Sequence, residues 1–174
     1  MNQLNMKDIA IIDAFPVLGS PRNVLNVGCG PGRIDYHLSK MNYLVHAIDI
    51  KQYDTWQNNE RLSFAVANIF DLQSIPVQSA QIVICSQVLE HISDFRKALA
   101  NLLSLAEIRL IITVPYKNSF SHPEHVNFWD DNSIKEFNQL CKPHPVSISK
   151  IITKIEDKKT GQRNYLISVD KREE

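Results

Sequence analysis

The chain has 174 residues, 44% of them apolar and 22% charged, a size and composition that suit one compact core and exclude a disordered or low-complexity chain. Its 19 basic and 19 acidic side chains cancel, so no broad field draws it to nucleic acid or to an anionic membrane.

Residues 1–20 have room for one short helix, near Lys7–Phe15, and little else. Asn23–Val27 is a short apolar strand, and Ile34, Leu38 and Met41 then recur at helical spacing. Tyr43–Ile50 and Leu62–Ala67 are the next strands. Gln81–Ser86, "QIVICS", is apolar throughout and predicts a strand buried on both faces. Ser93 can cap a helix whose apolar stripe is Phe95, Leu99 and Leu102. Arg109–Val114 is a fifth strand, and several caps from Asp130 onward precede Ile134, Phe137 and Cys141. Val146–Ile155 and Tyr165–Val169 flank the turn-like "EDKKTG" and predict an antiparallel hairpin.

Five strands alternating with helices, followed by that hairpin, predict an α/β fold. It is a doubly wound, mostly parallel seven-stranded sheet with helices on both faces. No repeat or linker divides the chain, so residues 1–174 are expected to form a single domain. Residues 115–130 hold the longest connection without periodicity, and loops of that length often carry function. Cys29, Cys85 and Cys141 are odd in number and widely spaced, which predicts neither a disulfide framework nor a zinc site. With no signal-peptide pattern and no apolar run of membrane-spanning length, the expectation is a cytoplasmic protein.

The first strand runs into Gly28, Gly30 and Gly32, and ligands of doubly wound sheets bind beyond the carboxyl ends of strands. Glycine permits positive φ and close approach of a ligand, although a tight turn alone would also use it. The spacing is Gly-x-Gly-x-Gly, and Arg33 stands where a dinucleotide fingerprint needs its third glycine. Asp49, at the end of the second strand, can accept two hydrogen bonds from a ribose diol.

In order, "VLNVGCGPG", "AIDI", "IVICSQVLEHI" and "ITVP" resemble the class I S-adenosylmethionine-dependent methyltransferases. The resemblance is closest to a small-molecule group that includes ubiquinone-biosynthesis and sugar-tailoring enzymes, and it covers about residues 24–137. It implies S-adenosylmethionine as cofactor and S-adenosylhomocysteine as product. Gly28, Cys29, Gly30 and Gly32 would line the methionine part, Asp49 would hold the ribose, and Ile50 would flank the adenine. Asn68 falls where the family usually has an aspartate facing the adenine amino group, with Ile69 beside it. An amide oxygen can accept the same hydrogen bond. Cys85, Ser86 and Gln87 would pass under the methionine moiety. Gln81 is a second departure, standing where the family often has aspartate.

Methyl transfer to oxygen calls for a base, and histidine suits that role near neutral pH. His91 follows the fourth strand, and His122 and His125 lie in the loop after the fifth. The plainer alternative gives His91 a role in fixing its loop and leaves the other two on a polar surface. Tyr116 is a further candidate acceptor contact. Cys85 lacks the proline-cysteine context of enzymes that methylate pyrimidine carbon, and "SQVLEH" is unlike the Asn-Pro-Pro-Tyr sequences of amino-group methylation in nucleic acid. No metal is expected, because the spacing of His122, Glu124 and His125 fits no standard pattern. The expected activity is O-methylation of a small metabolite, or of a sugar-containing or carrier-bound intermediate, with no nucleic acid or membrane partner. N-methylation and a non-catalytic cofactor-binding subunit are the alternatives, and a nicotinamide-dependent dehydrogenase is disfavoured by Arg33. With so short an N-terminal segment, the acceptor mouth is expected to be fairly open.

Overall fold

The computed structural model describes residues 3–17, 22–116, 123–153 and 162–171. Its first helix, α1 (Met6–Asp13), begins with a reciprocal cap: the Asn5 side chain accepts from the Asp8 amide, and the Asp8 carboxylate accepts from the Asn5 amide. β1 (Asn23–Val27) ends where the glycines begin, and α2 (Arg33–Lys40) buries Ile34 and Leu38 on one stripe. β2 (Leu44–Asp49) and β3 (Leu62–Val66) follow, then β4 (Ala80–Ser86).

α3 (Phe95–Leu105) starts one residue later than the expected Ser93 cap implies. Asp94 accepts from the Lys97 amide and takes the capping position. β5 (Ala106–Pro115) leads toward α4 (Asp131–Leu140), which Asp130 caps through the amides of Asn132 and Ser133. β6 (Val146–Thr153) and β7 (Gln162–Asp170) form the expected antiparallel pair. The turn predicted at "EDKKTG" lies outside the described residues.

The seven strands form one sheet in the order β3-β2-β1-β4-β5-β7-β6. β7 runs antiparallel to both neighbours, and the other six strands are parallel. α1 and α2 cover one face, where Ile11, Ile34 and Leu38 meet Val24, Val45, Ile82 and Ile84. The other face packs Phe95, Leu99, Leu102 and Phe137 against Leu25, Val83, Leu110 and Ile112.

One expectation fails in part. Neither the β2–β3 nor the β3–β4 connection carries an α-helix; the second has only a single 3-10 turn at Leu72–Ser74. Aromatic side chains in the first connection do the covering instead, as described below. Among the described residues no helix is long and apolar enough to cross a membrane. The strand order reverses direction between β1 and β4, so a crevice opens outside their carboxyl ends, where Gly28 and Gln87 stand.

Candidate active site

Gly28, Gly30 and Gly32 all take positive φ, at 75°, 54° and 81°. Their surroundings separate them. A Cβ at Gly28 would stand 2.2 Å from Val88, and one at Gly32 would stand 2.6 Å from the Phe64 ring, so both positions are closed by the chain's own packing. A Cβ at Gly30 would meet nothing within 4 Å, so Gly30 is where the turn faces open space. Asp49, at the end of β2, accepts from the Gly30 amide at 2.8 Å and from the Lys51 amide at 3.3 Å. Trp56 donates its indole N–H to the Gly30 carbonyl at 2.7 Å.

Beneath the turn, a cavity of about 110 Å³ is lined by Gly28, Cys29 and Ser86 together with Lys7, Asp8 and Ile11 of α1. Small-molecule sites usually enclose roughly 300–1,000 Å³, so this cavity suits only one end of a nucleoside-sized ligand. Arg33 joins α1 to the turn through two hydrogen bonds to the buried Asp8, at 2.7 and 3.1 Å. The half-buried Lys7 ammonium is held below its usual range, first by burial, while Asp8 and Glu90 pull it back up. Ser86 shares a 2.7 Å hydrogen bond with Thr113, and Gln87 donates its amide to the Thr113 carbonyl. Gln87 has φ +58°, rare for a residue with a Cβ and a conformation often stored at working sites. A larger hollow of about 360 Å³ lies on the β6–β7 face beside α1, lined by Arg109, Ser147, Ser149 and Ser168. It includes none of the glycine-turn residues.

The "VLEH" segment forms a second centre. Leu89–His91 is a 3-10 turn after β4, and the loop after β5 is pinned to it. The amides of Val126 and Asn127 donate to the Glu90 carbonyl, and the Asn127 side chain donates to Leu89 and Ile92. This brings the His125 ring edge-on to His91, with centroids 4.9 Å apart. His91 Nδ1 lies 3.1 Å from the Glu124 carbonyl. Glu90 is 1% exposed, and its Oε2 has no hydrogen-bond partner. Burial pushes its carboxyl up to about 7, against the opposite pull of its own backbone N–H and of Lys7. One ligand atom from each of Glu90, His91 and His125 lies within 4.8 Å of the others, a set able to hold a metal ion. The expectation of no metal came from spacing within one loop. The fold assembles this set from two segments.

The remaining predicted residues divide. Ile50 is 75% exposed at the end of β2, open to a planar ligand. Asn68 is exposed, and its amide oxygen already accepts from the Phe70 amide at 3.0 Å, leaving one lone pair. Cys85 and Ile69 turn their side chains into the core on the α3 face, so neither side chain lines the cavity. Burial, first of all, drives both the Cys85 and Cys29 thiols well above the usual thiol range. Tyr116 packs edge-on to Tyr165 and donates toward Asp131 at 3.4 Å, on the α4 side of the sheet. His122 lies outside the described residues. Lys7, Trp56 and Glu90 were not among the residues expected at the site. Only Glu90 had a sequence signal, standing inside the most specific of the motifs.

A family model described as "Methyltransferase domain" matches residues 25–106. Ubiquinone biosynthesis O-methyltransferase of Rickettsia bellii (strain OSU 85-389) is 25% identical over 168 residues, covering 87% of this chain and 69% of the relative. The protein of the same name from Rickettsia akari is 25% identical over 142 residues, covering 73% and 56%. Among solved structures, the YcgJ protein of Bacillus subtilis superposes with a TM-score of 0.76 at 15% identity, covering 97% of this chain and 99% of that one. The N-methyltransferase NodS of Bradyrhizobium japonicum, in complex with S-adenosylhomocysteine, gives 0.70 at 15% identity, covering 96% and 86%.

Proposed function

We propose that the chain, which is similar to class I S-adenosylmethionine-dependent methyltransferases, is one of them and methylates a hydroxyl group of a small-molecule acceptor. In this reading the His91 and His125 imidazoles meet that hydroxyl, and the buried Glu90 carboxyl stands next to them. The observation that carries it is the cluster itself: a carboxyl that burial pushes up to about 7, beside two imidazoles, at the carboxyl end of β4. Bound S-adenosylmethionine supplies an electrophilic methyl group, and proximity and alignment provide much of the rate. Methylation of a neutral oxygen releases a proton, and a base whose pKa lies near the working pH accepts it best. Attack by a neutral amine needs no such base, so the cluster favours oxygen over nitrogen. The names of the Rickettsia relatives support the same choice.

The other residues take binding roles. Asp49 accepts the ribose hydroxyls, the open side of Gly30 allows close approach, and the Lys7 ammonium faces the methionine carboxylate. Ser86 and Gln87 bound the reacting end. The same three side chains of the cluster can hold one divalent cation, whose charge would acidify a hydroxyl beside it. Sugar-containing and carrier-bound acceptors remain classes to be screened alongside simple phenols.

The test is a screen of phenolic, sugar and carrier-bound hydroxyl acceptors with S-adenosylhomocysteine formation as readout, run with Mg²⁺, with Mn²⁺ and with EDTA. Glu90→Gln and His125→Ala should each lower turnover by about 10²-fold or more, with S-adenosylhomocysteine affinity nearly unchanged by calorimetry. Full turnover in both variants would remove the cluster from the chemistry. Binding of NAD without binding of S-adenosylhomocysteine would overturn the cofactor assignment.

A further inference from the structure

The connection between β2 and β3 replaces a covering helix with side chains that reach back to the glycine turn. Thr55 donates its hydroxyl to the Pro31 carbonyl at 3.0 Å, and Trp56 donates its indole N–H to the Gly30 carbonyl at 2.7 Å. The Trp56 ring stacks on Phe64, with centroids 5.1 Å apart and planes inclined by 12°. Phe64 in turn closes the space beside Gly32. The segment is braced from below, because Tyr36 donates to the Thr55 carbonyl and accepts from the Gln57 amide.

Gly30 is therefore held on both of its backbone polar atoms, by Asp49 at the N–H and by Trp56 at the carbonyl. Glycine has no Cβ to restrict its angles, so the orientation of these groups must come from their partners. We propose that Trp56 is a positioning residue for cofactor binding, fixing the Gly30 carbonyl so that Asp49 is presented to the ribose. The proposal rests on the reading of Asp49 as the ribose ligand. A carboxylate offers about four lone-pair sites, and the amides of Gly30 and Lys51 take two of them. Two remain for two ribose hydroxyls, provided that the Gly30 amide does not move. The carbonyl anchor at Trp56 keeps it still.

The test compares the parent with two variants by calorimetric titration of S-adenosylhomocysteine and by thermal melting. Trp56→Phe keeps a ring on Phe64 and loses the N–H. Incorporation of benzothienylalanine at position 56 keeps the full bicyclic shape and loses only the N–H, so it reports even if Trp56→Phe fails to fold. The expected result is a five- to tenfold weaker dissociation constant for the isosteric variant, the usual scale for one hydrogen bond, with the cooperative melting of a folded protein retained. A parent-like dissociation constant in the isosteric variant would show that Trp56 only packs, and would overturn the proposal. A parent protein that itself binds no S-adenosylhomocysteine would instead overturn the cofactor reading beneath it.

Discussion

Replacing Asp35 with asparagine should remove a loss of stability that the parent suffers as pH rises. Asp35 is fully buried in the first turn of α2 and accepts from the Asn26 side chain at 2.9 and 3.1 Å. Burial pushes its carboxyl up to about 7, while the Asn26 hydrogen bond and the local backbone pull it down and Asp8 pushes it further up. In the unfolded chain the same group ionises near the ordinary value of about 3.9. Below that value the carboxyl is neutral in both states and its contribution to stability is fully present. As pH rises through 7 the folded chain must bury a charge, and about 4 kcal/mol is lost in all, of which roughly 2–3 kcal/mol falls between pH 5 and pH 8. Asp35→Asn cannot ionise, and it gives up one of the two hydrogen bonds from Asn26 at a pH-independent cost of about 1 kcal/mol. Urea denaturation of both proteins at the two pH values reads the difference directly. At roughly 1–3 kcal/mol per molar of urea, the parent's midpoint should fall by about 1 M or more relative to the variant on going to pH 8. Midpoints that move in parallel would show that Asp35 does not bury its charge.

Asp49→Ala should weaken S-adenosylhomocysteine by about 1–3 kcal/mol, and an unchanged dissociation constant in calorimetry would remove Asp49 as the ribose ligand. Gly28→Ala should lose far more stability than Gly30→Ala, because its Cβ would collide with Val88 whereas that of Gly30 meets nothing. Melting curves of the two variants check this, and Gly30→Ala should retain its fold at a cost of roughly 1–2 kcal/mol for the left-handed angle while losing cofactor affinity. Lys7→Met should weaken S-adenosylhomocysteine by about tenfold or more, the scale of a hydrogen bond to a charged group, and leave 5′-methylthioadenosine, which lacks the amino-acid group, nearly untouched. Equal losses for both ligands would exclude Lys7 as the carboxylate partner.

How far the sequence reached depended on the range of the contacts. β1 matches its predicted span end to end, because the apolar run stops abruptly at Gly28. β5 begins three residues before its predicted start, since the exposed Glu107 interrupts the apolar pattern near the N-terminal end of the strand. The glycine turn and Asp49 were legible because the strand order itself dictates where they meet. Cys85 and Ile69 both turn into the core on the α3 face; for Cys85 this follows from the alternation of side chains across β4, which the motif does not reveal. Glu90 stands inside its motif with nothing local to mark it, because its meeting with His125 depends on a loop 35 residues further on. Trp56 and Lys7 gave no signal at all. Trp56 reaches back to the glycine turn and Lys7 lines the cavity beside it, and no sequence period connects either residue to that turn.

The Arg33–Asp8 bridge has a practical consequence for anyone cutting this chain into pieces. The recognisable family segment starts at residue 25, and a fragment begun there would keep six strands whole and all but the first two residues of β1. It would nevertheless lose Lys7, Asp8 and Ile11 from one wall of the cavity, and would leave the Arg33 guanidinium without its carboxylate. In the proposed reading such a fragment should bind S-adenosylhomocysteine more weakly than the full chain, a difference calorimetry would read. The family segment and the cavity wall that α1 supplies begin about twenty residues apart.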